Sequence, residues 1–271
     1  MQIYQAIILG IVQGLTEFLP ISSSAHLNLF PWLLGWEKIP DSFDVALHIG
    51  TLLAIVIFFF KDWVNLIVGG YNQVVKKKKT TEGKIFWMLV LSTIPAGILS
   101  LVLSKISEKL FEKNLNVEML VIAITLIVMG AILYIVDKKS KSNIKYEKIN
   151  LKESMLIGMS QGLAAAFPGV SRSGITMTVA RALGIDRESA ARYSFLLATP
   201  ITAAAVIFEF KNFDIGSISF WLGILTSFIV GILIIKFLME YLKKGSFKGF
   251  AVYRIIVGII VIGFAIAKLT M

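Results

Sequence analysis

Near the start of the chain, the segment Gln13-Gly-Leu-Thr-Glu-Phe-Leu-Pro-Ile-Ser-Ser-Ser-Ala-His26 gathers the side chains best able to do chemistry. Glu17 can bind a metal ion or orient a base, and Ser22, Ser23 and Ser24 offer hydroxyls. His26 can accept a proton, donate one, or attack phosphorus itself. A serine, Ser23 above all, or a water attacking with His26 as base uses the same residues, so the nucleophile stays open, with His26 preferred. A second segment, Pro168-Gly-Val-Ser-Arg-Ser-Gly-Ile-Thr176, supplies Gly169, the hydroxyls of Ser171, Ser173 and Thr176, and the guanidinium of Arg172. Small residues let backbone approach a ligand, and arginine can hold two phosphate oxygens at once. A helix beginning near Ser171 would also point N–H groups and a positive dipole end at the tip. The chemistry implied is phosphate binding and phosphoryl transfer. A plain structural pair between Arg172 and Glu17 is the simplest alternative, but serines on both sides of Arg172 exceed what such a pair needs.

The two segments are partial copies. Gln161-Gly-Leu repeats Gln13-Gly-Leu, and Pro168 follows Gln161 at the spacing at which Pro20 follows Gln13, which sets Arg172 opposite Ser24. The copying extends further: Val56-Ile-Phe-Phe-Phe-Lys61 echoes Val206-Ile-Phe-Glu-Phe-Lys211. Phe86-Trp87, Leu91 and Gly97-Ile-Leu99 align without gaps to Phe220-Trp221, Leu225 and Gly231-Ile-Leu233. His48 stands alone in an apolar span and reads as a packing residue, whose loss should leave chemistry intact.

What must position these groups is a membrane domain. The chain is 56% hydrophobic and 16% charged, with several apolar runs long enough for a hydrocarbon core of ~30 Å. The fold class expected is an all-α polytopic membrane protein. Spans are predicted at about 44–60, 85–103, 117–136, 189–210, 217–239 and 248–270. The limbs 2–16 and 25–36, and the segment 151–185 with its tip at Phe167–Ser173, are interrupted by proline and serines and read as two re-entrant helical hairpins. Irregular backbone at membrane depth is tolerated only inside protein or against a wet cavity. Residues 1–136 and 137–271 then form two repeats, inverted because three spans separate the units, within a single membrane domain. The first apolar stretch lacks a basic start and carries Glu17, so it does not read as a cleaved signal peptide.

The net charge of +10 raises nucleic acid as a partner, but the lysines sit between spans and read as an orientation signal. Segment 61–84 holds Lys61, Lys76, Lys77, Lys78, Lys79 and Lys84 against Asp62 and Glu82, and 137–153 holds six lysines against three acids. The alternate loops are acidic or balanced: 37–44 has one base and three acids, and 104–118 three of each. The lysine loops are thus expected to be cytoplasmic and both termini outside. The absence of cysteine excludes disulfides and thiolate metal sites.

On these residues the chain resembles the undecaprenyl-pyrophosphate phosphatases, the bacitracin-resistance family of bacterial membrane enzymes. Gln13-x-x-x-Glu17 fits the family's (Glu/Gln)-x-x-x-Glu element, and Pro168-Gly-Val-Ser-Arg-Ser-Gly-Ile-Thr176 fits its Pro-Gly-x-Ser-Arg-Ser-x-x-Thr element. Ser24-Ala25 stands where Thr-Gly is common, and Gln13 where some members carry a second glutamate, which leaves Glu17 as the supported acid. The resemblance implies removal of the terminal phosphate from undecaprenyl pyrophosphate, which recycles the lipid carrier for cell-wall synthesis and confers bacitracin resistance. It implies a divalent cation, Mg²⁺ or Ca²⁺, with Glu17 as its ligand, in a plasma-membrane protein whose site faces the outer side. Catalytic roles then fall to Glu17, Ser23, His26 and Arg172, and phosphate binding to Gln13, Ser22, Ser24, Gly169, Ser171, Ser173 and Thr176. Expected partners are the lipid substrate, the bilayer and a second copy of the chain. A transporter or lipid flippase built on the same repeats is the alternative, since architecture alone does not decide function.

Overall fold

The computed structural model describes residues 1–111 and 115–270, so the centre of the expected outer loop 104–118 lies outside the described residues. Helices make up most of it, in the order α1 (Ile3–Thr16), α2 (Ser23–Leu34), α3 (Asp41–Phe58), α4 (Phe60–Val75), α5 (Thr81–Phe111), α6 (Leu115–Lys139), α7 (Leu151–Ala166), α8 (Arg172–Ala182), α9 (Arg187–Glu209), α10 (Ile218–Leu242) and α11 (Lys248–Thr270). Six of them, α3, α5, α6, α9, α10 and α11, are long and apolar enough to cross a membrane. The protein is an all-α, multi-pass membrane protein.

The expected interruptions fall where proline and serine were. α1 ends at Thr16 and α2 restarts at Ser23, while α7 ends at Ala166 and α8 restarts at Arg172. Each restart is capped alike. Ser22 and Ser171 take positive φ values of 78° and 72°, and each side chain accepts a bond from the backbone N–H three residues on. Non-glycine residues enter this region only when the surroundings hold them there. The shared cap shifts the correspondence by one position: Arg172 stands opposite Ser23, not Ser24, because two residues rather than one separate the second proline from its cap.

Small residues set the packing. α1 lies against α10, where a Cβ added to Gly10 would fall 2.7 Å from the Gly223 carbonyl oxygen. α7 lies against α5 in the same manner, a Cβ on Gly158 falling 2.7 Å from the Ser92 carbonyl. In lipid, such close approach replaces the hydrophobic driving force that helices lack there. A core of Phe18, Phe59, Met177, Phe195 and Ile235 lies between the tips and α3, α9 and α10. At the lysine-rich end, Asp137 of α6 accepts from Arg181 (2.8 Å), from Arg187 (2.8 Å) and from the Phe247 backbone N–H (3.1 Å). It thereby ties α6, α8, α9 and the start of α11.

One element differs from expectation. Residues 61–84 were expected as a loop, but α4 occupies Phe60–Val75. Phe60, Val64, Ile67, Val68, Tyr71 and Val74 form an exposed apolar stripe at helical spacing, while Gly69 and Gly70 face α5. That pattern suits a helix lying along a membrane surface.

Candidate active site

The two tips meet. Glu17, at the end of α1, is buried, and its Oε1 pairs with Nη2 of Arg172 from the start of α8. Its Oε2 accepts from Ser23 Oγ at 2.5 Å and from Gln13 Nε2 at 3.2 Å. Nη1 of Arg172 donates to Thr202 Oγ1 of α9 at 2.6 Å, and Ser173 Oγ donates to the Glu17 carbonyl at 3.0 Å. A largely buried ion pair is held where further hydrogen bonds support it, as Ser23 and Gln13 support Glu17 and Thr202 supports Arg172.

Beside the pair lies a pocket of about 250 Å³, bounded by Glu17, Ser23, Ser24, His48, Ser171 and Arg172 among others. α2 and α8 both begin at its wall, and the first N–H groups of a helix have no intrahelical acceptor. Two helix starts, five serine hydroxyls and a guanidinium are the parts from which anion sites are built. Through Ser24, Ala164 and Ala165 it joins a second pocket, of about 240 Å³, that reaches Lys38, Asp41, Asp44 and Ser107. The opening is thus toward the acidic and balanced loops, away from the lysine-rich ones.

Not every expected residue reaches the pocket. His26 is buried, with Nδ1 2.7 Å from the Ser22 carbonyl and Nε2 2.8 Å from the Tyr253 hydroxyl, on which its ring stacks. A carbonyl can only accept, so Nδ1 carries the hydrogen and Nε2 takes the tyrosine proton. The structure does not bring His26 to Glu17 or Arg172. Gly169 (φ 91°) packs its backbone on Ile122 of α6, where a Cβ would meet the carbonyl oxygen at 2.9 Å. Thr176 bonds inside α8 and to Ser194 at 2.5 Å, Ser22 serves as cap, and Gln13 stands behind Glu17.

The reading of His48 as a packing residue is corrected. Its Nδ1 lies 2.9 Å from the Asp44 carbonyl and its Nε2 3.5 Å from Glu17 Oε2, in the pocket wall. Asp44 and His48 share one helix face four residues apart, a spacing readable in the sequence. Arg254 was also missed. It is 1% exposed in the middle of α11 and donates to the carbonyls of Pro20 (3.2 Å), Gly169 (2.9 Å) and Val170 (3.0 Å). One guanidinium thus clamps both tips by their backbone. The signal was an arginine inside an apolar run, which the membrane makes costly without a task. Thr202 and Tyr253 complete the set that motif spacing did not mark, while Gln161, which the repeat did mark, lines the pocket.

Comparison with known proteins gives the family. Residues 6–260 match the family described as bacitracin resistance protein BacA. The undecaprenyl-diphosphatase of Pelotomaculum thermopropionicum is 46% identical over 270 residues, 99% of this chain and 98% of its own. Those of Caldicellulosiruptor bescii (45%, covering 99% of both chains) and Elusimicrobium minutum (46%, covering 97% of this chain and 98% of its own) are similar along their whole length. The chain belongs to the bacitracin resistance protein BacA family.

Proposed function

We propose that the chain is an undecaprenyl-diphosphatase that removes the terminal phosphate of undecaprenyl diphosphate, returning the monophosphate carrier to cell-wall synthesis. The observation that carries this is the convergence of Arg172 and the Glu17–Ser23 pair, from two different broken helices, on one anion pocket. The names of the full-length relatives agree with it.

The chemistry follows from the contacts. The diphosphate competes with Glu17 for the Arg172 guanidinium and lies across the starts of α2 and α8. Ser23 Oγ, already donating to Glu17 Oε2, attacks the terminal phosphorus while that carboxylate takes its proton. The bond from phosphorus to the bridging oxygen breaks and undecaprenyl phosphate leaves. Water then cleaves the phosphoserine, and the proton returns to the serine oxygen. Arg172 and the helix-start N–H groups stabilise the charge on the equatorial oxygens. His48, when protonated, donates to both Asp44 O and Glu17 and holds the carboxylate in place. His26 orients the first tip through Ser22 and Tyr253.

A divalent cation fits this pocket only as a partner of the substrate. Among the described residues there is no cluster of three His, Cys, Asp or Glu to cage one. Glu17, the one carboxylate that lines the pocket, would hold it with diphosphate oxygens, as Mg²⁺ is commonly held. It would neutralise charge on the leaving group.

The inverted repeat is supported by matched packing: α1 on α10 and α7 on α5, with Gly10 and Gly158 in like places and like serine caps. The site is read as facing the outer side, since its pocket opens toward loops poor in lysine. Cysteines at Lys78 and Lys141 should resist a membrane-impermeant thiol reagent in intact cells. One at Lys113, which lies outside the described residues, should react. The reverse pattern inverts the orientation. The chain has no cysteine of its own to interfere.

A transporter would use the same architecture but release no phosphate. Purified protein in detergent should release phosphate from undecaprenyl diphosphate, where no compartment exists and transport is invisible. Absence of release by well-folded protein, with and without Mg²⁺ or Ca²⁺, sinks the phosphatase reading.

A further inference from the structure

The pocket of about 250 Å³ is smaller than the ~300–1,000 Å³ that encloses drug-sized ligands, so an undecaprenyl chain must leave it. Where it leaves is marked by a difference between two otherwise matched helix pairs. By the repeat correspondence, α3 with α10 matches α9 with α5.

The first pair is shut. A Cβ on Gly231 of α10 would touch Ala54 of α3 at 3.2 Å, and Ala54 and Ile235 are both 0% exposed. Their counterparts face nothing. Gly97 of α5 has no atom within 4 Å of its Cβ position, Ala204 of α9 is exposed, and Leu101, in the place of Ile235, is 63% exposed. Toward the lysine-rich end the two helices are linked through Ser154 of α7, which bonds both Ser92 of α5 (3.2 Å) and Tyr193 of α9 (2.5 Å). Beyond that they part, at the level of Pro95 and Pro200, whose counterparts in the shut pair are Ile229 and Gly50. A proline leaves one helical carbonyl without its backbone donor and favours a bend.

The gap is continuous with the phosphate site. Ser100 of α5 and Ile201 of α9 line the pocket, and Thr202, the residue after Ile201, receives Arg172. The residues that flank it are apolar, Ile94, Ile98 and Leu101 on one side and Ala204 and Ala205 on the other, up to Ser104, Lys105 and Glu209 one turn further. We propose that the gap between α5 and α9 is the lateral doorway through which the prenyl chain of the substrate passes from the pocket into the bilayer. This rests on the phosphatase reading above.

The test bridges the doorway with Gly97→Cys and Ala204→Cys and a short reversible bis-thiol linker, in a chain that has no other cysteine. Bridging should cut turnover of undecaprenyl diphosphate by at least about tenfold, and reductant should restore it. Turnover of dimethylallyl diphosphate, whose short chain needs no doorway, should stay within about twofold, well under the ~1.4 kcal/mol of a tenfold change. Undiminished turnover of the long substrate in the bridged protein overturns the proposal. So does equal loss on both substrates, which marks a distorted site instead. Linkage between two chains at unchanged turnover assigns the gap to a dimer contact. If the reduced protein hydrolyses neither substrate, the phosphatase reading itself falls and the doorway with it.

Discussion

Ser23→Ala should lower phosphate release from undecaprenyl diphosphate by about three orders of magnitude or more, because it removes the nucleophile and leaves its base without a proton to take. The geometry behind this is specific. Ser23 Oγ sits in the pocket, 2.5 Å from Glu17 Oε2, beside Arg172, whereas His26 has both nitrogens engaged outside it. His26→Gln should therefore cost much less, through the tip it orients. A turnover reaction quenched in acid, with label in the terminal phosphate, separates the cases. Phosphoserine survives acid and phosphohistidine does not. Acid-stable label that vanishes in Ser23→Ala is the expected result. Base-stable, acid-labile label lost in a His26 variant would return the nucleophile to His26.

Arg172→Lys should lower kcat/KM by about a hundredfold, the usual cost of losing one preorganised donor to developing charge. Lysine keeps the cation but not the fork. Arg172 uses Nη1 for Thr202 and Nη2 for Glu17, so it can give one arm to a phosphate oxygen while the other holds its place on α9. An ammonium concentrates its charge at one point and cannot do both. Arg172→Ala should be worse, because it also leaves a buried Glu17 without its counter-ion. Thermal unfolding measured alongside activity distinguishes the two losses. Near wild-type turnover in Arg172→Lys would reduce Arg172 to a structural partner of Glu17.

The membrane class and the six spans were legible because length and hydropathy alone decide them. Both interrupted helices were legible too, since Pro20 and Pro168 with adjacent serines cannot continue a helix. The pairing of Glu17 with Arg172 could be posed from charge but not resolved, because sequence spacing says nothing of how two tips meet. The place of His48 was missed for a related reason. Proximity along the chain favoured His26, whereas α3 carries His48 to the pocket from thirty-one positions beyond Glu17. α4 was hidden by the lysines that follow it: Lys76–Lys79 drew attention to charge, although the apolar stripe from Phe60 to Val74 was there to be read. The one-residue offset between tips needed coordinates, since only the caps at Ser22 and Ser171 define it.

Asp137 has a mechanical consequence. It receives two arginines and a backbone N–H at the lysine-rich end, so α6, α8, α9 and α11 are pinned there as spokes are at a hub. At that end the Ser92–Ser154–Tyr193 bonds pin α5 to α7 and α9 as well. Local opening follows the free energy of the contacts that must break, so resistance to deformation declines along these helices away from the hub. Fluctuation is thereby directed to the ends where the pocket opens, and the lysine-rich end stays sealed while they move.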